Sequence, residues 1–188
     1  MKKFSVKIVV AIGIGAALFF VLGRFVSIPS PVPNTNIASQ YGLLGFFAAL
    51  FGPLAAALIG LIGHALIDFS WGGSFGGIWW SWVIASAVCG LIMGVGMKKL
   101  ALDEGRFDTK DILRFNVSQI IAHVICWGAI APALDVLIYH EPTEKLVAQG
   151  LMAAGGNIVT TAVIGTLLCL AYAKTRPQKG SLTEETEE

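Results

Sequence analysis

Six runs of apolar residues, almost free of charge, restrict the fold of this chain more than any other feature. They cover about residues 4–22, 37–51, 53–70, 78–97, 112–138 and 147–173. A helix needs about 20 apolar residues to cross the hydrocarbon core of a bilayer. The first, fourth, fifth and sixth runs reach that length. The second and third are short and meet at Phe51-Gly52-Pro53, where one long broken helix or a tight hairpin of two short spans would fit.

The composition places these runs in a membrane rather than in a soluble core. Only 13% of the 188 residues are charged and 55% are hydrophobic, whereas a soluble domain carries roughly 25% charged residues. The three cysteines are far apart, each inside an apolar run, with no CxxC pair and no Cys/His spacing of a metal site. We therefore predict no disulfide and no metal site.

The distribution of Lys and Arg decides the topology. Six spans with a cytoplasmic N-terminus leave only Arg24 and Lys145 outside, and place the other 11 of the 13 basic residues in the cytoplasm. Those residues are Lys2, Lys3, Lys7, Lys98, Lys99, Arg106, Lys110, Arg114, Lys174, Arg176 and Lys179. Five spans would move everything from Lys98 to Arg114 outside, against the positive-inside rule.

The sequence therefore predicts an all-α integral membrane protein with six transmembrane helices and both termini in the cytoplasm. Residues 1–173 form the membrane domain, and residues 174–188 form a polar, acidic tail that we expect to be disordered. The first run also resembles a secretory signal peptide, but it lacks a convincing small-x-small cleavage site before Arg24.

The segment WGGSFGGIWWSW, residues 71–82, contains four of the five tryptophans. In the six-span topology it lies on the outer side, where an aromatic belt at the membrane interface would explain one or two of them. A belt does not require glycines, yet Gly72, Gly73, Gly76 and Gly77 accompany Trp71, Trp79, Trp80 and Trp82. Because glycine allows sharp bends and close approach to a ligand, the segment favours the rim of a pocket with flat apolar walls.

Polar residues fall at the same outer level of several predicted helices. His64 and Asp68 are four residues apart and share one helix face. The others are Gln40, Tyr41, Trp127, Asp135 and Asn157. Each alone is well explained by a hydrogen bond between helices, but polar groups from four helices at one level, beside the tryptophans of the fourth run, favour a cavity. His123 lies deeper, and we interpret it as a core residue.

The loop between the first two predicted spans, residues 23–36, carries prolines at positions 29, 31 and 33. This spacing predicts an extended, stiff segment rather than a helix. It would suit a lid over the cavity, although an ordinary surface loop fits as well.

Several motifs of catalysis are missing from the sequence. It contains no GxxxxGK[ST] loop for ATP, no HExxH and no GxSxG. We therefore predict that the chain is not an enzyme and that any energy for its action comes from partners. We expect no cofactor and no nucleic-acid partner.

Three stretches carry a resemblance to a known family. They are VKIVVAIGIGAALFFVLGRF, PSPVPNTNIASQYGLLGFFAALFGPLAAALIGLIGHALIDF and IWWSWVIAS. They resemble the UPF0397 family of integral membrane proteins, which looks like a family of substrate-binding S components of energy-coupling factor (ECF) vitamin transporters. The resemblance covers about residues 1–173 and is closest to the cobalamin-specific lactobacillal member.

The resemblance implies the partners and the ligand. An S component captures a vitamin at the bacterial plasma membrane and docks on a transmembrane T component that carries two cytoplasmic ATPases. Small residues on the first helix would form the docking patch, here Ala11, Gly13, Gly15 and Ala17. The family's loop after the first helix closes over the substrate, which matches the proline loop.

Cobalamin would present a flat ring and many amides to the cavity. Its ring would meet the tryptophans, and its amides would meet polar side chains. The candidate ligand-binding residues are Asn34, Asn36, Gln40, Tyr41, His64, Asp68, Trp71, Trp79, Trp80, Trp82, Trp127 and Asn157. Another large vitamin or a modified nucleobase fits the same residues.

Two functions of other classes stay open at this point. An intramembrane enzyme would use His64 and Asp68 for chemistry, although no nucleophile is evident beside them. An accessory structural subunit of the membrane would need no cavity at all.

Overall fold

The computed structural model describes residues 5–71 and 77–176. The predicted rim glycines Gly72, Gly73 and Gly76 and tail residues 177–188 lie outside these ranges. The described part of the chain forms six helices of twelve or more residues, a short 3₁₀ helix at Leu102–Glu104 and one short hairpin. The helices are α1 (Val6–Phe25), α2 (Gln40–Phe51), α3 (Pro53–Ser70), α4 (Trp80–Gly96), α5 (Thr109–Tyr139) and α6 (Thr143–Lys174). The hairpin pairs strand β1 (Ile28–Pro29) with strand β2 (Asn36–Ile37) in antiparallel register.

The short second and third runs form two separate helices. Gly52 joins them with φ 81°, a left-handed conformation that glycine adopts at little cost. Pro53 then occupies the first turn of α3, where its missing N–H leaves no hydrogen bond unmade. Helix α2 has twelve residues and is about 18 Å long. It is this short because the hairpin comes directly before it in the chain.

The lengths of the helices support a membrane protein. Four of them, α1, α3, α5 and α6, are long and apolar enough to cross a bilayer, while α2 and α4 are shorter apolar helices. Six complete spans and the cytoplasmic location of both termini remain predictions. The helix bounds differ from the predicted runs by at most four residues: α6 begins four residues early, and α5 begins three residues early because Asp108 caps it.

The cap of α5 is a reciprocal capping box. The Asp108 carboxylate accepts from the backbone N–H groups of Lys110 and Asp111, at 2.8 and 3.0 Å. The Asp111 carboxylate accepts in turn from the Asp108 N–H. The hydrogen bond from the Asp111 N–H is the main reason that the pKa of Asp108 is lowered.

The helix α5 contains a π-helical turn at Cys126–Ile130. Pro132 follows this turn, and a proline inside a helix cannot donate the usual hydrogen bond to the carbonyl four residues earlier. The wider turn absorbs that interruption and places Trp127 in the interior. A second π-helical turn, Thr161–Gly165, interrupts α6.

Glycines allow α3 and α4 to pack backbone against backbone. A Cβ atom on Gly90 would lie 2.6 Å from the carbonyl carbon and oxygen of Ala56, and one on Gly60 would lie 2.6 Å from the carbonyl oxygen of Ser86. Such close packing by small residues is typical of helices in membranes. The sequence pattern Gly90-xxx-Gly94 therefore serves packing inside the chain.

Replacement of Gly90 by alanine is expected to destabilise the protein by about 1–3 kcal/mol, because the new methyl group meets backbone atoms that cannot rotate away. The matched control is Gly155→Ala, since a Cβ atom there has no neighbour within 4 Å. Thermal unfolding in detergent measures both variants. A melting temperature of Gly90→Ala equal to that of Gly155→Ala would contradict the packing account.

The predicted docking patch on α1 divides into two faces. Ala11 and Gly15 are buried, whereas Gly13 and Ala17 are exposed. A Cβ atom on Gly15 would lie 2.5 Å from Ile59 Cδ1 and 3.0 Å from Phe47 Cε1, so this residue serves the contact of α1 with α2 and α3. Ala11 and Gly15 therefore pack inside the chain, whereas Gly13 and Ala17 lie on its exposed side, and docking through this helix remains a prediction.

Candidate ligand-binding site

A cavity of about 580 Å³ lies at one end of the bundle, which we call the cavity end. Here α1 and α3 end, α2 and α4 begin, and α5 runs into α6. Exposed hairpin residues and the first turn of α6 surround its mouth. The polar lining residues are Ser27, Asn34, Thr35, Asn36, Gln40, Tyr41, His64, Asp68, Asp135, Glu141, Lys145, Gln149 and Asn157, and the aromatic ones besides Tyr41 are Trp71, Trp79, Trp82 and Trp127.

All but one of the twelve residues predicted for the site line this cavity. The exception is Trp80, whose side chain is 49% exposed and lies outside the lining. Trp79 and Trp82 are three residues apart and lie on the same, inward side, whereas Trp80 is rotated by about 100° from Trp79 and lies outside the lining. The sequence alone could not show which of the three faces the cavity, because the rotation of α4 about its axis was not known.

Asp135 organises the aromatic wall. This carboxylate is 1% exposed. It accepts hydrogen bonds from the indole N–H of Trp79 at 2.6 Å and of Trp82 at 2.8 Å, and from the Ser81 hydroxyl. Trp79 also stacks on Tyr139, with ring centroids 4.1 Å apart. The planes of both indoles are thus fixed by contacts between α4 and α5.

The Trp127 side chain is held by a hydrogen bond to a second buried acceptor, His123. Its indole N–H donates to Nδ1 of His123 at 2.9 Å, and Nε2 of His123 lies 2.9 Å from the Thr161 hydroxyl. An Nδ1 that accepts requires the proton on Nε2, so the imidazole donates to Thr161. The prediction that His123 is a satisfied core residue is confirmed, and its contact explains how Trp127 reaches the cavity.

His64 and Asp68 belong to a network that joins three helices. Their side chains are 3.7 Å apart. His64 Nδ1 lies 2.5 Å from the Ser86 hydroxyl, which also contacts the Tyr41 hydroxyl at 2.7 Å and the Trp82 carbonyl at 3.0 Å. Sequence analysis missed Ser86, since nothing in the spacing indicates that α3 and α4 bring it to His64. Its fully buried hydroxyl contacts all three groups and links α2, α3 and α4.

The hairpin is attached to α6 across the mouth of the cavity. Gln149 donates from Nε2 to the Pro33 carbonyl at 2.9 Å. Asn157 accepts from the Ala38 N–H at 3.2 Å, and Thr160 donates to the Ala38 carbonyl at 2.8 Å. Asn34 turns the hairpin with φ 58°, which asparagine tolerates better than most residues. The predicted absence of helix holds for residues 27–39, but the segment folds back on itself as a hairpin with a turn at residues 31–34 and is extended only in the two short strands.

Gln40 lines the cavity and carries a buried acceptor without a partner. The residue is 6% exposed, and its Oε1 has no hydrogen-bond partner among the described residues. A buried amide oxygen without a partner costs free energy, which an N–H or O–H donor of a ligand would recover if the amide turned toward the cavity.

Sequence analysis missed the residues that α6 contributes near the mouth. Glu141 and Lys145 form an ion pair of 2.8 Å, and Gln149 follows one turn later. The four-residue spacing of Glu141 and Lys145 before an apolar run was a usable signal. Among the residues that the structure describes, no group of three His, Cys, Asp or Glu side chains is placed to hold a metal ion.

The fold and the cavity together define a helical membrane protein with a polar and aromatic cavity at one end of its bundle. A family model described as the S component of the ECF-type riboflavin transporter matches residues 3–174. The chain belongs to this family. It is thus an S component, the substrate-binding subunit of a vitamin transporter, and S components work in transport with a T component and ATPases rather than as enzymes.

Curated relatives extend the same likeness over nearly the full chain. A UPF0397 protein of Enterococcus faecalis is 50% identical over 184 residues, which cover 98% of this chain and 99% of the relative. A UPF0397 protein of Staphylococcus aureus is 51% identical over 187 residues, which cover 98% and 100%. No solved structure matches the chain. The predicted membership of the ECF S components is confirmed.

Proposed function

We propose that this chain captures cobalamin at the outer face of the bacterial plasma membrane. In this proposal all six helices span the bilayer, both termini are cytoplasmic, and the cavity end faces outward. Arg24 and Lys145 lie at the cavity end, whereas the cluster from Lys98 to Arg114 follows α4 at the opposite end. The positive-inside rule supports this orientation.

The observation that carries the proposal is the combination of tryptophan walls with hydrogen-bonding groups in one cavity. The rings of Trp79 and Trp82 offer apolar contact to a conjugated ring, and the buried Trp127 packs against Trp82. Gln40 offers an acceptor to an amide N–H. Cobalamin has both a flat corrin ring and amide side chains. Since it is larger than the cavity of about 580 Å³, one edge of the ring would enter and the remainder would lie at the hairpin.

Riboflavin is a second candidate, favoured by two observations. The family model that matches the chain carries the riboflavin transporter description. The three-ring system of riboflavin is also compact enough to enter the cavity whole, with its imide N–H available to Gln40. Both candidates use the same walls and the same acceptor, so they share one mechanism and differ in the ligand.

Transport of the bound vitamin would require the partners. The T component would dock on the exposed small residues of α1, Gly13 and Ala17, in contact with lipid in the free chain. Hydrolysis of ATP by two cytoplasmic ATPases would then tilt this subunit and release the ligand inward.

The test of this function is uptake into proteoliposomes that contain the chain, the T component and both ATPases. We expect ATP-dependent accumulation of radiolabelled cyanocobalamin. Accumulation of riboflavin instead would show that the ligand is riboflavin rather than cobalamin, with the same transport mechanism. Vesicles with only the T component and ATPases give the background. Uptake of neither vitamin above that background would contradict the proposed function.

The hairpin is expected to slow escape of the ligand. Gln149→Ala removes the hydrogen bond to Pro33, which is worth about 0.5–1.5 kcal/mol, so ligand dissociation should accelerate about two- to tenfold. Val147→Ala is the control, since this exposed residue of the same helix lies outside the lining. Stopped-flow tryptophan fluorescence measures the rate. An unchanged dissociation rate in Gln149→Ala would show that the hairpin does not retain the ligand.

A further inference from the structure

We propose that the cavity selects vitamins without an anionic group and rejects their phosphorylated or carboxylated derivatives. The inference rests on the proposed function and names the chemical class of ligand that the site accepts. It begins from the charges of the lining. Within the described residues, the lining holds three carboxylates, Asp68, Asp135 and Glu141, against one basic side chain of ordinary permanent charge, Lys145.

The one lysine is already paired. Lys145 Nζ lies 2.8 Å from Glu141 Oε2, so these two charges largely cancel. Arg24, the other cation at the cavity end, stacks on Trp71 with its guanidinium carbon 3.9 Å from the ring centroid, and it is not among the lining residues. An incoming anion therefore finds no unpaired cation in the described lining.

The two remaining carboxylates lack a matching cation. Asp135 accepts its three hydrogen bonds from Trp79, Ser81 and Trp82, which are all neutral. Asp68 accepts from the backbone N–H of Trp79 at 2.9 Å and lies 3.7 Å from His64. Even a protonated His64 would offset only one of these two charges. The described lining therefore holds more acidic than basic side chains.

Gln40 points independently to the same class of ligand. Its buried Oε1 has no partner among the described residues and can only accept a hydrogen bond. A phosphate or carboxylate placed beside this amide presents acceptors and leaves that oxygen unpaired, whereas a neutral amide, imide or hydroxyl in the same place supplies the missing donor. The acidic lining thus disfavours an anionic group, and this acceptor favours an N–H or O–H group beside Gln40.

The membrane around the cavity increases the difference in affinity between neutral and anionic ligands. Charges interact more strongly where the effective dielectric constant is low, as it is between helices in a membrane. We expect an added negative charge on the ligand to weaken binding by about tenfold or more, and the loss to shrink as salt screens the exposed mouth.

The experiment is isothermal titration of the purified chain with two matched pairs of probes. One pair is cyanocobalamin and its monocarboxylic acid, in which one side-chain amide is hydrolysed to a nearly isosteric carboxylate. The other is riboflavin and its 5′-phosphate. For whichever vitamin binds, we expect the anionic partner to bind at least about tenfold more weakly.

A charge variant separates electrostatics from size. Glu141→Gln frees Lys145 from its partner. The ratio of the affinities for the neutral and anionic probes should therefore fall severalfold. Glu144→Gln is the matched control, because Glu144 is exposed in the same turn and lies outside the lining. Equal affinities within a pair would overturn the inference. A difference in affinity that neither Glu141→Gln nor added salt changes would also overturn the inference, since that difference would be steric.

The outcomes also distinguish this inference from the function on which it rests. If neither neutral vitamin binds, the proposed function fails and the inference falls with it. If a neutral vitamin binds and its anionic partner binds equally well, the capture function stands and only the charge selection is wrong.

Discussion

Replacement of Trp79 by alanine is expected to weaken vitamin binding by about 30-fold or more. Tryptophans that anchor a ligand in a desolvated pocket are typically worth about 2 kcal/mol or more, and Trp79 is held rigidly against Asp135 and Tyr139. Trp79→Phe keeps an aromatic face but loses the hydrogen bond, so its affinity should lie between those of the wild type and the alanine variant. Isothermal titration measures all three proteins.

The adjacent residue is the matched control for this prediction. Trp80→Ala removes a side chain of the same size from the exposed side of α4 and should change the affinity by less than about twofold. Thermal unfolding shows whether each variant remains folded. A larger loss of affinity for Trp80→Ala than for Trp79→Ala would mean that the ligand binds elsewhere.

Leucine substitutions at Gly13 and Gly15 should impair different properties, uptake in the first case and stability in the second. Gly15→Leu inserts a side chain against Ile59 and Phe47, so we expect the melting temperature to fall by about 5 °C or more. Gly13→Leu meets no atom within 4 Å of a Cβ. This variant should fold and bind its vitamin normally, yet lose nearly all uptake because the larger residue prevents close contact with the T component.

The pair is measured by thermal unfolding, ligand titration and proteoliposome uptake. Ala17→Leu should behave like Gly13→Leu if both residues belong to one docking face. Normal uptake by Gly13→Leu would contradict docking through this face. An unfolding temperature of Gly15→Leu equal to that of the wild type would contradict the packing of α1 against α2 and α3.

Hydropathy and the positions of glycine and proline in the sequence predicted much of the architecture. Hydropathy located all six helices, the glycine and proline at positions 52 and 53 marked the break between α2 and α3, and the prolines of residues 29–33 indicated an extended segment. These features depend on neighbours in the sequence. The bounds of α5 were less accurate, because the Asp108 cap extends that helix beyond its apolar run.

The site was predicted at the level of residue type but not of side-chain direction. Polar and aromatic residues at one level of several helices indicated a cavity, and most of them line it. The division between Trp79 and Trp80, and between Gly13 and Gly15, depends on the rotation of α4 and α1 against their neighbours. The contact of Ser86 with His64 depends on how α3 packs on α4. Packing across the chain decides such features, and spacing in the sequence does not contain them.

The most direct test of the central claim is isothermal titration of the detergent-purified chain, without partners, with cyanocobalamin and then riboflavin. The account predicts saturable submicromolar binding of one of these vitamins, with one site per chain and with loss of affinity in Trp79→Ala but not in Trp80→Ala. No saturable binding of either vitamin by the folded protein would contradict the claim that this chain captures one of them by itself.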